Sequence, residues 1–144
     1  MEPLTRDFAR HGVRLYLADG GRALVAIPGV DVLDVVEIAR VGTHDARADG
    51  WREVQGSVGR IASQAPFDIV FADEAGLGCV FGDVLSVAAA RSTADILVDE
   101  LGGALEMMMD DVMSLEDEAG DDTELAAMFA SYLRSRRRFR LWWD

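Results

Sequence analysis

The chain has 144 residues, half of them hydrophobic, and a formal net charge of −12. This length and composition can bury a sizeable core, which excludes a disordered chain. The acidity argues against nucleic-acid binding, because phosphates would be repelled. No apolar run reaches the roughly 18 residues of a membrane span. The single cysteine, Cys79, rules out an internal disulfide. Together with an N-terminus that lacks a signal-peptide pattern, it leads us to expect a protein of the cytoplasm.

The first half of the chain is predicted to contain a short helix, a hairpin and a third strand. The helix at residues 3–11 ends at Gly12. Residues 13–18 and 22–27 alternate apolar with other side chains around a glycine-rich turn, which predicts an antiparallel hairpin. Residues 32–41 are compatible with a helix or a strand, and their β-branched density favours a strand.

The second half begins with a helical stripe at residues 51–63 and an alternating strand at residues 67–71. The apolar residues 77–88 are predicted to form one further strand or a pair of strands. A long helix then begins at Ser92 or Thr93, either of which can cap it. Its apolar stripe consists of Leu97, Leu101, Leu105, Met108, Val112 and Leu115.

The C-terminal residues are predicted to form a last helix and a basic tail. Asp121 and Glu124 resemble a capping box at the start of this helix. Residues 136–144 either continue the helix or become extended. The predicted fold is therefore α+β, with a mainly antiparallel sheet of about five strands packed by two or three helices and an additional C-terminal helix. We expect an α+β domain at residues 1–118, with residues 119–144 packed on it.

No constellation of catalytic or ligand-binding residues is visible in the sequence. The glycine-rich residues 76–82 follow a strand, as a phosphate-binding loop would, but they lack the dinucleotide-binding spacing and are better interpreted as a tight hairpin. His11 and His44 have no partner at ligand spacing, and Cys79 lies among apolar residues. We therefore predict a protein that is not an enzyme, with no catalytic residue, no cofactor and no metal ion.

Charge is distributed unevenly, and this favours a protein partner. Residues 92–133 contain twelve carboxylates and no arginine, whereas residues 134–144 contain five arginines and one carboxylate. Aromatic and arginine residues are enriched at protein interfaces, and methionine adapts to irregular partners. The predicted partner-binding residues are Met107, Met108, Arg136, Arg138, Phe139, Arg140, Trp142 and Trp143.

The order of predicted elements resembles the small acidic chaperones of type III secretion systems. The segments that carry this resemblance are residues 4–9 (LTRDFA), residues 17–24 (LADGGRAL), the strand at 67–71 and the helix at 93–113. It covers about residues 4–115 and leaves the last helix and the tail without a counterpart. The resemblance implies a bacterial homodimer that holds an extended segment of a secreted protein along hydrophobic grooves. The alternative is an immunity protein or antitoxin whose acidic surface covers a basic toxin. A third is a small enzyme whose site the sequence does not reveal.

Overall fold

The computed structural model describes residues 2–42, 50–105 and 120–143. Its first two strands, β1 (Val13–Ala18) and β2 (Ala23–Pro28), pair antiparallel in continuous register. The turn between them, Asp19–Gly21, includes two glycines with positive φ, at 60° and 87°. Because glycine adopts this region without steric cost, the turn closes the hairpin that the alternation predicts.

One sheet of five strands contains this hairpin. The remaining strands are β3 (Phe67–Asp73), β4 (Gly76–Phe81) and β5 (Arg138–Trp142), and the order across the sheet is β2-β1-β3-β4-β5. Only β1 and β3 run parallel; the other neighbouring pairs are antiparallel. The predicted α+β fold with a mainly antiparallel five-stranded sheet is thus confirmed.

The described residues form five helices, and they cover the two faces of the sheet unequally. The helices are α1 (Glu2–Arg10), α2 (Asp34–Ile38), α3 (Gly50–Gln64), α4 (Val87–Leu105) and α5 (Asp122–Arg136). Helices α2–α5 share one buried apolar cluster with the sheet, whereas α1 contributes nothing to it and contacts β1 and β3. Helix α1 therefore packs on the opposite face. None of the described helices combines the length and apolarity that crossing a bilayer requires.

The strand expected at residues 32–41 is wrong, because the chain forms the short helix α2 there. The Asp31 side chain accepts the Leu33 N–H at 3.3 Å, and Asp34 accepts the Asp31 N–H at 2.7 Å, which together start a helical turn. Val35 and Val36 are adjacent and both fully buried, a pattern that a two-sided strand with one solvent face cannot give.

The predicted start of the long helix is also wrong. Residues 77–88 do not continue as strands, since β4 ends at Phe81 and α4 already begins at Val87. The Ser86 hydroxyl accepts the Ala89 N–H at 3.1 Å and is the cap, while Thr93 lies buried inside the helix. Leu97 and Leu101 are buried as predicted. The other members of the stripe are Leu105, whose side chain is not described, and Met108, Val112 and Leu115, which lie outside the described residues.

The C-terminal tail is the fifth strand of the sheet. The Asp121 carboxylate accepts the Glu124 N–H at 2.8 Å and Glu124 accepts the Gly120 N–H at 2.8 Å, so the predicted capping residues start α5. The helix ends at Arg136, and the next residue, Arg137, has a left-handed φ of 54° and turns the chain back. Strand β5 then pairs antiparallel with β4.

Candidate functional site: a groove on the open face of the sheet

The candidate site lies on the sheet face opposite α2–α5. Strand pairing aligns Leu17 with Phe71, Phe71 with Gly78, and Gly78 with Arg140. Directly paired residues project to the same side of a sheet, so these four positions form one row across it. We call the side that carries this row the open face. The neighbouring residues in the strands, such as Cys79 and Phe139, belong to the helix-covered core.

A β-bulge in β3 brings Phe71 to the open face. Ile69 pairs with Cys79 and Phe71 pairs with Gly78, so Val70 is an extra residue without its own partner. A β-carbon at Gly78 would lie 3.2 Å from the Phe71 β-carbon and 3.7 Å from Val70 Cγ2. Both side chains therefore project towards the open face of β4, where Gly78 leaves room for them.

Two glycines of β4 make space for an aromatic stack. A β-carbon at Gly76 would lie only 2.8 Å from the Phe71 ring and 2.8 Å from the Trp142 ring, closer than real β-carbons approach. The two rings are stacked, with centroids 6.4 Å apart and planes inclined by 15°. The glycines at every second position of β4 thus accommodate aromatic rings from the strands on either side.

This stack holds the side chain of Arg140. Its guanidinium carbon lies 4.9 Å from the centroid of the Phe71 ring and 5.4 Å from that of Trp142, within the range of cation–π attraction. Arg138 lies two residues earlier in β5 and projects to the same face, and both arginines are exposed. The two cations therefore stand side by side along the edge of the sheet.

A groove of about 480 Å³ extends from these arginines to the first hairpin. Its floor includes Val70, Phe71 and Val80, and its far wall is formed by Leu17 with the glycine turn. The Gly20 N–H donates to the Asp73 carboxylate at 3.0 Å, which fixes this wall to the end of β3. Among the described residues, the ionisable side chains that line the groove are those of Arg138 and Arg140; Cys79 borders the groove, but its thiol belongs to the helix-covered core.

The predicted partner-binding residues separate into groups. Arg138 and Arg140 line the groove, Trp142 supports Arg140, and Arg136 is exposed in the last turn of α5. Trp143 is half-buried and its N–H donates to the Ala75 carbonyl at 2.7 Å. Met107 and Met108 lie outside the described residues.

Phe139 requires a correction, because it is buried within its own chain. Its ring contacts those of Phe67 and Phe81, with centroid distances of 6.0 and 5.8 Å, and only 2% of the residue is exposed. It therefore stabilises the fold and is not accessible to a partner. The tail is packed through its aromatic and apolar side chains as expected, but Phe139 and Leu141 pack into this chain's own core.

Other reactive side chains of the described residues lie away from the groove or are inert. Burial raises the pKa of the Cys79 thiol well above its ordinary value, and the charge of Asp68 raises it further, so the thiol stays protonated. His11 is exposed on the loop after α1, and His44 lies outside the described residues. Within the described residues, no three His, Cys, Asp or Glu side chains could hold a metal ion.

Sequence reasoning missed most of the groove. Leu17, Val70 and Phe71 look like ordinary strand residues. Residues 76–82 do belong to a hairpin, whose second strand β4 contains Gly76 and Gly78, but the hairpin interpretation gives these glycines no role in a groove. The signal that could have identified them is their spacing, because glycines at every second position leave one face of a strand bare. The chain matches no protein-family model, no curated protein and no solved structure at a significant level.

Proposed function

We propose that this chain is a non-catalytic protein-binding module that holds a segment of a partner protein in the groove of its open face. The observation that carries the proposal is an apolar groove that none of the described helices covers, although helices α2–α5 pack on the opposite face of the same sheet. Soluble domains rarely leave contiguous apolar surface exposed unless it binds something.

The chemistry of the lining supports binding more than catalysis. The charged side chains of the groove are two arginines, and a guanidinium stays protonated in proteins and neither accepts a proton nor attacks a substrate. The Cys79 thiol is held protonated by its burial. A groove of this kind can select a ligand by shape and charge, but it offers no general base or nucleophile.

Among protein-binding functions, the groove favours that of a cytoplasmic, secretion-chaperone-like protein over that of an immunity protein or antitoxin. A chaperone of this type needs an apolar surface that stays open until an extended segment arrives. An antitoxin would bind through its acidic surface, and the densest run of carboxylates, residues 106–118, lies outside the described residues. The open groove is therefore the observation that favours the chaperone-like alternative.

The free edge of β2 supports a homodimer as the working form. The Gly29 N–H donates to the Gly12 carbonyl at 2.8 Å, and this register directs the N–H groups of Leu24 and Ala26 away from β1. Among the described residues, nothing pairs with them. Strand β2 has no charged side chain, and Leu24 is 61% exposed. Exposed edge strands without charged side chains favour pairing with another strand. Because β2 carries no charge, two copies of this acidic chain can approach each other along it.

The proposed function is tested by selecting random 12-residue peptides on the full chain and measuring their Kd. Leu17→Glu places a charge in the groove wall, and we expect it to weaken the selected peptides by about tenfold or more, since it opposes apolar contact. Leu4→Glu is the matched control, because Leu4 is exposed on α1 and does not line the groove. Equal binding to the original chain and to a folded Leu17→Glu variant would contradict the proposal.

A further inference from the structure

We infer that the bound segment is recognised through a carboxylate that lies beside a large apolar side chain, with Arg138 and Arg140 binding the carboxylate. This inference rests on the proposed function and names the chemistry of its partner. Each part of it follows from a different feature of the groove: the position of Arg140, the charge that the two arginines leave uncompensated, and the apolar floor next to them.

The Arg140 side chain is held in place before any partner arrives. The rings of Phe71 and Trp142 lie 4.9 and 5.4 Å from its guanidinium carbon and contact it by cation–π attraction. A cation–π contact needs no hydrogen-bond acceptor, so N–H donors along the edge of the guanidinium remain available to a ligand. That edge matches a carboxylate, which can accept two parallel hydrogen bonds from it.

The two arginines have no carboxylate partner among the described residues, unlike four other arginines of the chain. Arg14, Arg60 and Arg91 each form an ion pair with a described acid, as does Arg10 on α1. No described carboxylate lies within ion-pair distance of Arg138 or Arg140. In a chain with 26 acidic residues and 14 arginines, this adjacent pair is a local positive site. An anionic ligand is thus drawn to the one wall of the groove that carries charge.

The floor defines the rest of the ligand. Val70, Val80 and Leu17 offer aliphatic contact next to the arginines, and the Gly20-Gly21 turn adds no bulky side chain to the far wall. A volume of about 480 Å³ is in the range of clefts that hold a few side chains or a small ligand. An extended segment with Asp or Glu next to Leu, Ile or Phe satisfies both parts of the groove, whereas a basic segment is repelled.

The test is a double-mutant cycle with the peptides selected on the full chain. We expect these peptides to contain Asp or Glu beside a large apolar residue. Changing that carboxylate to its amide should weaken the Kd by about 10- to 100-fold on the original chain, the strength of charged hydrogen bonds. On the double variant Arg138→Gln/Arg140→Gln, the same change in the peptide should leave the Kd unaltered. The control is the double variant Arg10→Gln/Arg52→Gln, which changes the net charge by the same amount outside the groove. On this control, the amide change in the peptide should weaken the Kd as much as it does on the original chain.

Three outcomes would overturn the inference. They are selected peptides without carboxylates, an amide change that costs nothing, and an equal loss on both the original chain and the arginine variant. In each case, peptides that still lose affinity on Leu17→Glu leave the protein-binding function intact. Peptides whose Kd is unchanged on Leu17→Glu contradict that function as well. The failure of the inference can thus be told apart from the failure of the proposed function.

Discussion

The guanidinium of Arg140 lies 4.9 Å from the centre of the Phe71 ring, although their strands are not neighbours in the sheet. The residue between them is Gly78 of β4, which pairs with both and has no side chain to separate them. Nearby, Gly76 gives the rings of Phe71 and Trp142 the same freedom. The position of Arg140 in the groove therefore depends on the absence of side chains at Gly76 and Gly78 of β4.

A methyl group at Gly76 should disrupt this arrangement. Gly76→Ala places a β-carbon 2.8 Å from both rings, and we expect a loss of about 1–3 kcal/mol of stability from the resulting displacement. Gly56→Ala is the control, because its β-carbon meets only the end of the Arg60 side chain in an exposed part of α3. That change should stabilise the chain by about 0.5–1 kcal/mol. Urea unfolding followed by tryptophan fluorescence measures both, and an unaffected Gly76→Ala variant would show that the rings are not stacked over β4.

The tail should contribute to stability chiefly through Phe139. Phe139→Ala removes a ring that packs against Phe67 and Phe81, and we expect a cost of about 3–5 kcal/mol. Arg138→Ala, one residue earlier and exposed, should change stability by less than about 0.5 kcal/mol. Chemical denaturation of both variants checks this. Similar losses for the two would mean that β5 is not packed in the core.

The folded chain should become more stable when Thr93 is replaced by valine. Its hydroxyl is buried in α4 and has no hydrogen-bond partner among the described residues. Thr93→Val keeps the shape and removes the unpaired polar group, so a gain of about 1 kcal/mol is expected. Thr93→Ser keeps the hydroxyl, removes a methyl group and should destabilise. Thermal unfolding of the pair provides the measurement, and a destabilised valine variant would indicate a hydrogen bond to the hydroxyl.

The contribution of Glu100 to the stability of the folded chain should depend on pH. Hydrogen bonds from Arg60 and Ser57 lower the pKa of its carboxyl below the ordinary value of 4.5. The ionised form therefore stabilises the folded chain above this value, and the contribution is lost as the pH falls through the lower pKa. Glu100→Gln should cost at most about 1 kcal/mol at pH 7, since the pair is partly exposed. The difference from the original chain should shrink in unfolding experiments at pH 3; a constant difference at both pH values contradicts the ion pair.

Dimerisation through the free edge of β2 can be tested with a single proline substitution. Ala26→Pro removes an N–H group that points away from β1, so the hairpin keeps its own hydrogen bonds while the free edge loses a donor. If two copies pair through β2, sedimentation analysis should show a dimer for the original chain and a monomer for the variant. Pro28 already occupies an outward position at the end of the same strand. An unchanged mass for the two proteins would place any dimer elsewhere.

The sequence predicted elements whose signal is local and failed where packing decides. The alternation in β1 and β2 and the capping pair Asp121 and Glu124 are short-range patterns, and the structure confirms them. Residues 32–41 became a helix because tertiary packing buries the adjacent Val35 and Val36, which overrides their β-propensity.

The groove was predictable only in part. The alternation of Arg138, Arg140 and Trp142 indicates a shared face if the tail is extended, and the spacing of Gly76 and Gly78 indicates a bare strand face. The bulge at Val70 has no comparable local pattern, because it depends on how β3 aligns with β4. Without the bulge, Phe71 would not be placed beneath Arg140.

The central claim, that the open face holds a segment of a partner protein, is tested most directly by mapping where a selected peptide binds. Titration of the peptide into the ¹⁵N-labelled full chain should shift the backbone amide signals of Gly78, Val80 and Arg140, together with the side-chain Nε–H signals of the arginines. The signals of α3 and α5, on the covered face, should remain in place. Shifts confined to these helices, with the groove signals unchanged, would contradict the account.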